Sequence, residues 1–134
     1  MKKKFSKNWI GSKLPRKQRK YRANAPLHIR RKMLSSMLDE KLKKEFNKNS
    51  VPIRKGDEVV IMRGEFKGKT GNVLRIDTKN LKVYIDGIKR KKTSGQEIEV
   101  PIDPSNLKIT KLTMEDRMRR KFIDRKKPKI ETKK

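Results

Sequence analysis

Lys67 and Lys69 stand among three glycines, Gly64, Gly68 and Gly71, spaced four and three apart. Lysine among glycines can capture an anion. The ammonium supplies the charge, and a backbone without Cβ atoms can lie flat against a phosphate. Arg54, Lys55 and Arg63 border the same stretch. Groups that could do other chemistry are few. His28 is the single histidine, so it has no second imidazole for a metal site, and no evident serine partner for nucleophilic work. There are no cysteines, which excludes disulfides and thiolate metal sites. Glu97 and Glu99 could be an acid–base pair, but beside the basic run Lys89, Arg90, Lys91 and Lys92 they read as charge balance. The residues point to holding a polyanion. No enzyme activity, cofactor or metal is expected.

The elements that position these groups are strands. Glu58 to Met62 is rich in β-branched residues and follows the turn Lys55-Gly56-Asp57. A second strand runs from Asn72 to Asp77 and a third from Leu81 to Asp86. In the third, Leu81, Val83 and Ile85 alternate with Lys82, Tyr84 and Asp86, the period of a half-buried strand. The stretch 87–96 reads as a polar loop, either solvated or touching RNA. Ile98 to Ile102 is the fourth strand, with Ile98, Val100 and Ile102 inward and Pro101 marking an edge. Leu107 to Leu112 is the fifth. Five short antiparallel strands in residues 51–112 predict a mainly β fold, a small closed or partly closed barrel.

Around this core the spacing predicts helices. Residues 24–50 form a helical extension, with Asn24 as N-cap, Pro26 in the first turn and a stripe of Leu27, Leu34, Leu38, Leu42 and Phe46. A break falls near Ser35, where Ser36 and Asp39 could form a capping box. Lys41, Lys43 and Lys44 alternate with Glu40 and Glu45 as a solvated face. Residues 113–134 give a last helix, capped by Thr113 and Asp116 with Met114, Met118 and Phe122 as its apolar side, then a basic tail. Residues 1–23 form an extended basic arm without periodicity, in which Gly11 and Pro15 act as breakers. Trp9 and Tyr21 are candidates to pack on bases, sugars or protein.

Charge separates the possible functions. The net charge is +26, from 41 basic and 15 acidic residues in 134. Such a charge opposes compaction unless a polyanion neutralises it. The first 38 residues hold thirteen bases and no acid. A moderately basic barrel with strongly basic arms suits RNA. The arm residues Lys13, Arg16, Lys17, Arg19, Lys20 and Arg22, then Arg30, Arg31 and Lys32, are the first candidate contacts; His28 could stack on a base. Gly64, Gly68 and their flanking cations are the second group, and Lys89 to Lys92 the third. No apolar run is long enough for a membrane span, so no membrane insertion is expected.

The run Val59, Ile61, Gly64, Lys67, Gly68, Gly71 and Val73 resembles the KOW motif. That resemblance implies an SH3-like barrel that binds RNA. Two further segments are similar to large-subunit ribosomal protein family twenty-four of archaea (twenty-six in eukaryotes): Arg16 to Lys32, above all Asn24-Ala25-Pro26-Leu27-His28-Ile29-Arg30-Arg31-Lys32, and Val100 to Leu112, with Pro101, Pro104, Ser105 and Asn106 in place. Asp103 stands where members often carry histidine. The family implies a structural constituent of the large subunit, ribosome-bound in the cytoplasm, that binds the 5′ region of large-subunit rRNA. It implies early assembly and a place near the nascent-peptide tunnel exit. Neighbouring ribosomal proteins, and nascent-chain or targeting factors there, are its implied partners. A KOW-type transcription elongation factor is the alternative, but such factors usually carry an additional α/β domain before the motif, for which this chain has no matching segment.

Overall fold

In the computed structural model the described residues are 5–6 and 11–125. Expectations for Trp9 and for the tail after Arg125 lie outside them.

The first described element is a helix where the sequence predicts an extended arm: α1, Pro15–Asn24. Pro15 starts the helix instead of breaking it, since at the first helical position its missing N–H costs nothing and its φ is already helical. Asn24 ends α1 instead of capping the next helix. Pro26 holds Ala25 extended and serves as N-cap to α2, Leu27–Met33.

The predicted break near Ser35 is a strand, β1, Ser35–Leu38. After it come α3, Glu40–Phe46, and β2, Ser50–Pro52. Asn47 closes α3 in the left-handed conformation, which asparagine tolerates. Ser36 caps nothing. It is buried in β1 and donates its Oγ to the Pro104 carbonyl.

Next are β3, Glu58–Ile61; β4, Thr70–Asp77; and β5, Lys82–Ile85. The predicted polar loop contains β6, Lys89–Lys91, which pairs with β7, Glu97–Glu99, as a two-stranded arm. A 3₁₀ turn, Pro104–Asn106, leads into β8, Leu107–Lys111. The chain's last described helix is α4, Arg117–Asp124.

The main sheet is open and mixed, in the order β2-β1-β8-β3-β4-β5. β1 pairs parallel with β8, Leu38 opposite Ile109; the other neighbours are antiparallel. A closed five-stranded barrel is therefore not what the hydrogen bonds describe, although the small β-rich domain is as expected. The reason lies at the fourth predicted strand. Pro101 has no N–H to give to a ladder, so 98–102 does not form one strand. Its first part joins β6, leaving Ile98 exposed, and only Ile102 reaches β5, exchanging 2.9 Å hydrogen bonds with Val83 in both directions.

The core packs against this sheet with Leu38, Val51, Val59, Ile61, Val73, Val83, Ile85, Leu107 and Ile109. Ile123 seals it from α4. Met114 also packs on the core, but Met118 and Phe122, the rest of the predicted apolar side of the last helix, are 67% and 42% exposed. The buried positions of α4 are Arg119 and Ile123, one turn apart.

Candidate nucleic-acid interface

The loop between β3 and β4 is built by its glycines. Gly64 and Gly68 have φ of +95° and +84°, values that suit a residue without Cβ. The Gly68 N–H donates to Ile61 O at 2.8 Å and the Ile61 N–H to Lys69 O at 3.0 Å, so the loop folds back on the end of β3. Gly71 serves differently. A Cβ there would lie 2.7 Å from both Asp86 O and Ile85 Cγ2 in β5, so β4 and β5 approach only because it is absent. Phe66 packs against the core and anchors the loop, and the Lys69 Nζ sits 5.1 Å from its ring centroid. Arg63 and Lys67 project into solvent.

The loop's one acid, Glu65, pairs with Arg90 of β6, which ties the β6–β7 arm to the glycine loop. Two more exposed pairs brace this arm: Lys89 Nζ with Glu97 at 3.2 Å, and Arg75 Nε with Glu99 at 2.9 Å. The bond to Glu99 is also what mainly raises the Arg75 pKa, and its guanidinium lies 3.6 Å over the Tyr84 ring. Glu97 and Glu99 thus balance charge, as their setting predicts. Lys91 and Lys92 stay exposed near the arm's tip.

On α1, Arg16, Arg19, Lys20 and Arg22 are exposed; Lys17 is half-buried. The helix buries no residue fully and has no acid. Like charges three and four residues apart oppose such a helix in water, and a phosphate backbone would relieve that repulsion. Tyr21 is in contact with Phe5, ring centroids 4.9 Å apart. Lys13 lies just before the helix, exposed. On α2, His28, Arg31 and Lys32 are exposed, whereas Arg30 turns back and donates from Nη2 to Ala23 O at 2.6 Å, bracing the α1–α2 elbow.

Arg54 and Lys55 flank the turn before β3. Arg54 pairs with Asp116, the N-cap of α4, and that hydrogen bond is the main cause of the lowered Asp116 pKa. The Asp116 carboxylate also accepts from the Met118 N–H at 2.8 Å, so Asp116 caps α4 directly, without the predicted box from Thr113. Beneath this turn lies a pair that no spacing announced. Asp57, 0% exposed, accepts from Arg119, 3% exposed, and from the backbone N–H groups of Arg54 and Thr113. Arg119 sits in a basic run, and only its distant partner distinguishes it.

Among the described residues there is no cluster of metal-ligating side chains, and no helix is long and apolar enough to cross a membrane.

A small β-rich domain, a glycine loop that exposes backbone and cations together, and a basic helical extension give the chain a strongly basic surface. The chain belongs to the ribosomal protein family described as L26 in eukaryotes and L24 in archaea, whose model matches residues 12–126. It is similar to the large ribosomal subunit protein uL24 of Korarchaeum cryptofilum, 46% identical over 122 residues, covering 91% of this chain and 93% of that one. The family is structural, not enzymatic.

Proposed function

We propose that the chain is a structural constituent of the large ribosomal subunit that binds the 5′ domain of large-subunit rRNA early in assembly, at the region near the tunnel exit. Its place is on the cytoplasmic ribosome, beside neighbouring ribosomal proteins and within reach of factors that meet the nascent chain. The observation that carries this reading is the family match over residues 12–126 in a chain whose first 38 residues hold thirteen bases and no acid. The geometry supports the following contacts. α1, with Lys13 just before it, and α2 present Arg16, Lys17, Arg19, Lys20, Arg22, His28, Arg31 and Lys32, while Arg30 sets the elbow between them. The glycine loop presents Arg63, Lys67 and Lys69 with the backbone of Gly64 and Gly68, and the β6–β7 arm presents Lys89 to Lys92. Lysine and arginine position such a protein on phosphates, and backbone approach fits it to one folded RNA.

The test is a competition titration of a 5′-domain fragment against an unrelated folded RNA of equal length, at several salt concentrations. A preference of about a hundredfold at physiological salt, about 2.7 kcal/mol, is expected. Equal affinity at every salt would leave a generic polycation and overturn the reading.

A further inference from the structure

A groove of about 730 Å³ lies between α2, the turn before β3 and α4. Its walls combine two chemistries. Leu34, Val51 and Ile53 are buried apolar lining, and Met118 and Phe122 line it while remaining exposed. Arg31 and Lys55 supply positive charge from the opposite elements, and the Arg54 guanidinium, paired with Asp116, lines the same wall. One face of the Phe122 ring is covered by the Lys48 ammonium, 3.8 Å from its centroid, and Lys48 also donates to the Phe122 carbonyl, which fixes the ring in place. A fixed, partly exposed ring beside three cations matches a nucleotide, which has a flat base at one end and a phosphate at the other.

We propose that this groove holds one unstacked nucleotide of the bound RNA, its base against Phe122 and Met118 and its phosphate among Arg31, Arg54 and Lys55. The proposal rests on the RNA-binding function given above and adds to it a base-stacking site away from the glycine loop. The volume lies within the usual range for a site that encloses a small molecule, about 300–1,000 Å³. A protein partner is the poorer occupant. The exposed apolar surface here is two side chains, whereas a stable protein interface buries on the order of 1,200 Å² or more. The acids near the rim are occupied, Asp116 by Arg54 and Asp57 by Arg119, so they do not repel a phosphate as free carboxylates would.

The experiment uses the full chain bound to the 5′-domain rRNA fragment. Ultraviolet cross-linking followed by mass spectrometry of the peptide–nucleotide adducts is expected to place an adduct on the peptide containing Met118 and Phe122. In competition titrations Phe122→Ala and Phe122→Leu should each weaken binding about tenfold, the loss of one stacked base, with the salt slope unchanged because every phosphate-binding cation is retained. Phe122→Tyr, which keeps the aromatic face, should bind within about twofold of the parent. Met118→Ala alters a side chain with little packing to lose and should weaken binding on a protein whose melting curve is unchanged, so the test survives poor folding of Phe122→Ala. Parent-like affinity in Phe122→Leu and Met118→Ala, with the parent still preferring the 5′ fragment, overturns the groove assignment alone. A parent with no preference removes the RNA-binding function and this site with it. Intact RNA affinity with loss of the variant from assembled subunits assigns the groove to a protein neighbour and overturns the proposal.

Discussion

The Asp57 carboxylate takes both terminal nitrogens of Arg119, at 2.6 and 2.5 Å, and this pair fastens α4 to the turn that opens β3. Arg119 Nη1 also donates to Thr113 O at 2.9 Å, and two backbone N–H groups complete the shell of Asp57. Removing one partner of a buried pair strands the other charge, at a cost of about 3–5 kcal/mol. Arg119→Met should lower unfolding free energy by that amount in urea titration. Asp57→Ala should cost at least as much, because it also abandons the Arg54 and Thr113 amides. Arg117→Met, on the exposed side of the same helix, should cost about 0.5 kcal/mol or less.

The glycines should separate by mechanism. Gly71→Ala puts a Cβ against the Asp86 carbonyl, just past β5, and the Ile85 side chain and should cost several kcal/mol, as overpacking of a tight strand contact does. Gly68→Ala meets nothing within 4 Å and should cost only about 1–2 kcal/mol for its left-handed φ. Gly68→Val should cost more, since a β-branched residue tolerates that φ badly, and should weaken RNA binding. Denaturation midpoints of the three variants check the order.

Deleting residues 1–22 removes ten bases and no fully buried residue described in the structure. The melting temperature should move little. RNA affinity should fall by orders of magnitude at low salt, and the log–log salt slope should shrink by about 0.7–0.9 for each phosphate that is no longer neutralised. A truncated chain that unfolds would place the arm within the core.

Acid should weaken three surface carboxylate contacts. Asp39, Asp77 and Asp116 have lowered pKa values, caused chiefly by the Lys108 side chain, the Asn80 backbone N–H and the Arg54 side chain respectively. A carboxylate lowered in the folded state adds stability above its unfolded pKa of about 3.9, and that stability is lost as pH falls through the folded value. Stability should therefore be nearly flat from neutral pH to about pH 5 and decline below about pH 4. Asp116→Asn, which still caps α4, should flatten part of that decline. At neutral pH it should also raise RNA affinity by freeing Arg54.

The sequence was most readable where neighbours in the chain decide the structure. The alternation of Val83 and Ile85 with Lys82 and Tyr84 predicted β5 because both inward residues meet the core within a single strand; Leu81, also buried, lies in the turn before it with φ +57°. The glycine loop was equally plain, since positive φ at Gly64 and Gly68 is a local demand. β1 was hidden because Leu34, Leu38 and Leu42 keep a helical spacing, and the strand exists only through Val51 and Ile109, residues distant in sequence. The last helix misled for a related reason. Its apolar residues Met118 and Phe122 face the groove, and an arginine takes the buried position because one carboxylate, 62 residues earlier, awaits it.

The parallel pairing of β1 with β8 sets the order in which a growing chain can finish itself. The ribosome makes Ser35–Leu38 some seventy residues before Leu107–Lys111. At about 5–20 residues per second, β1 waits roughly 4–14 s with one edge bare, its only partner being β2. Asp57 waits almost as long for Arg119. Both vacancies close only after β8 and α4 have been made, so the sheet and the α4 clamp lock together. A chain cut short before Leu107 leaves an unpaired strand edge open to other chains and a buried carboxylate without its guanidinium.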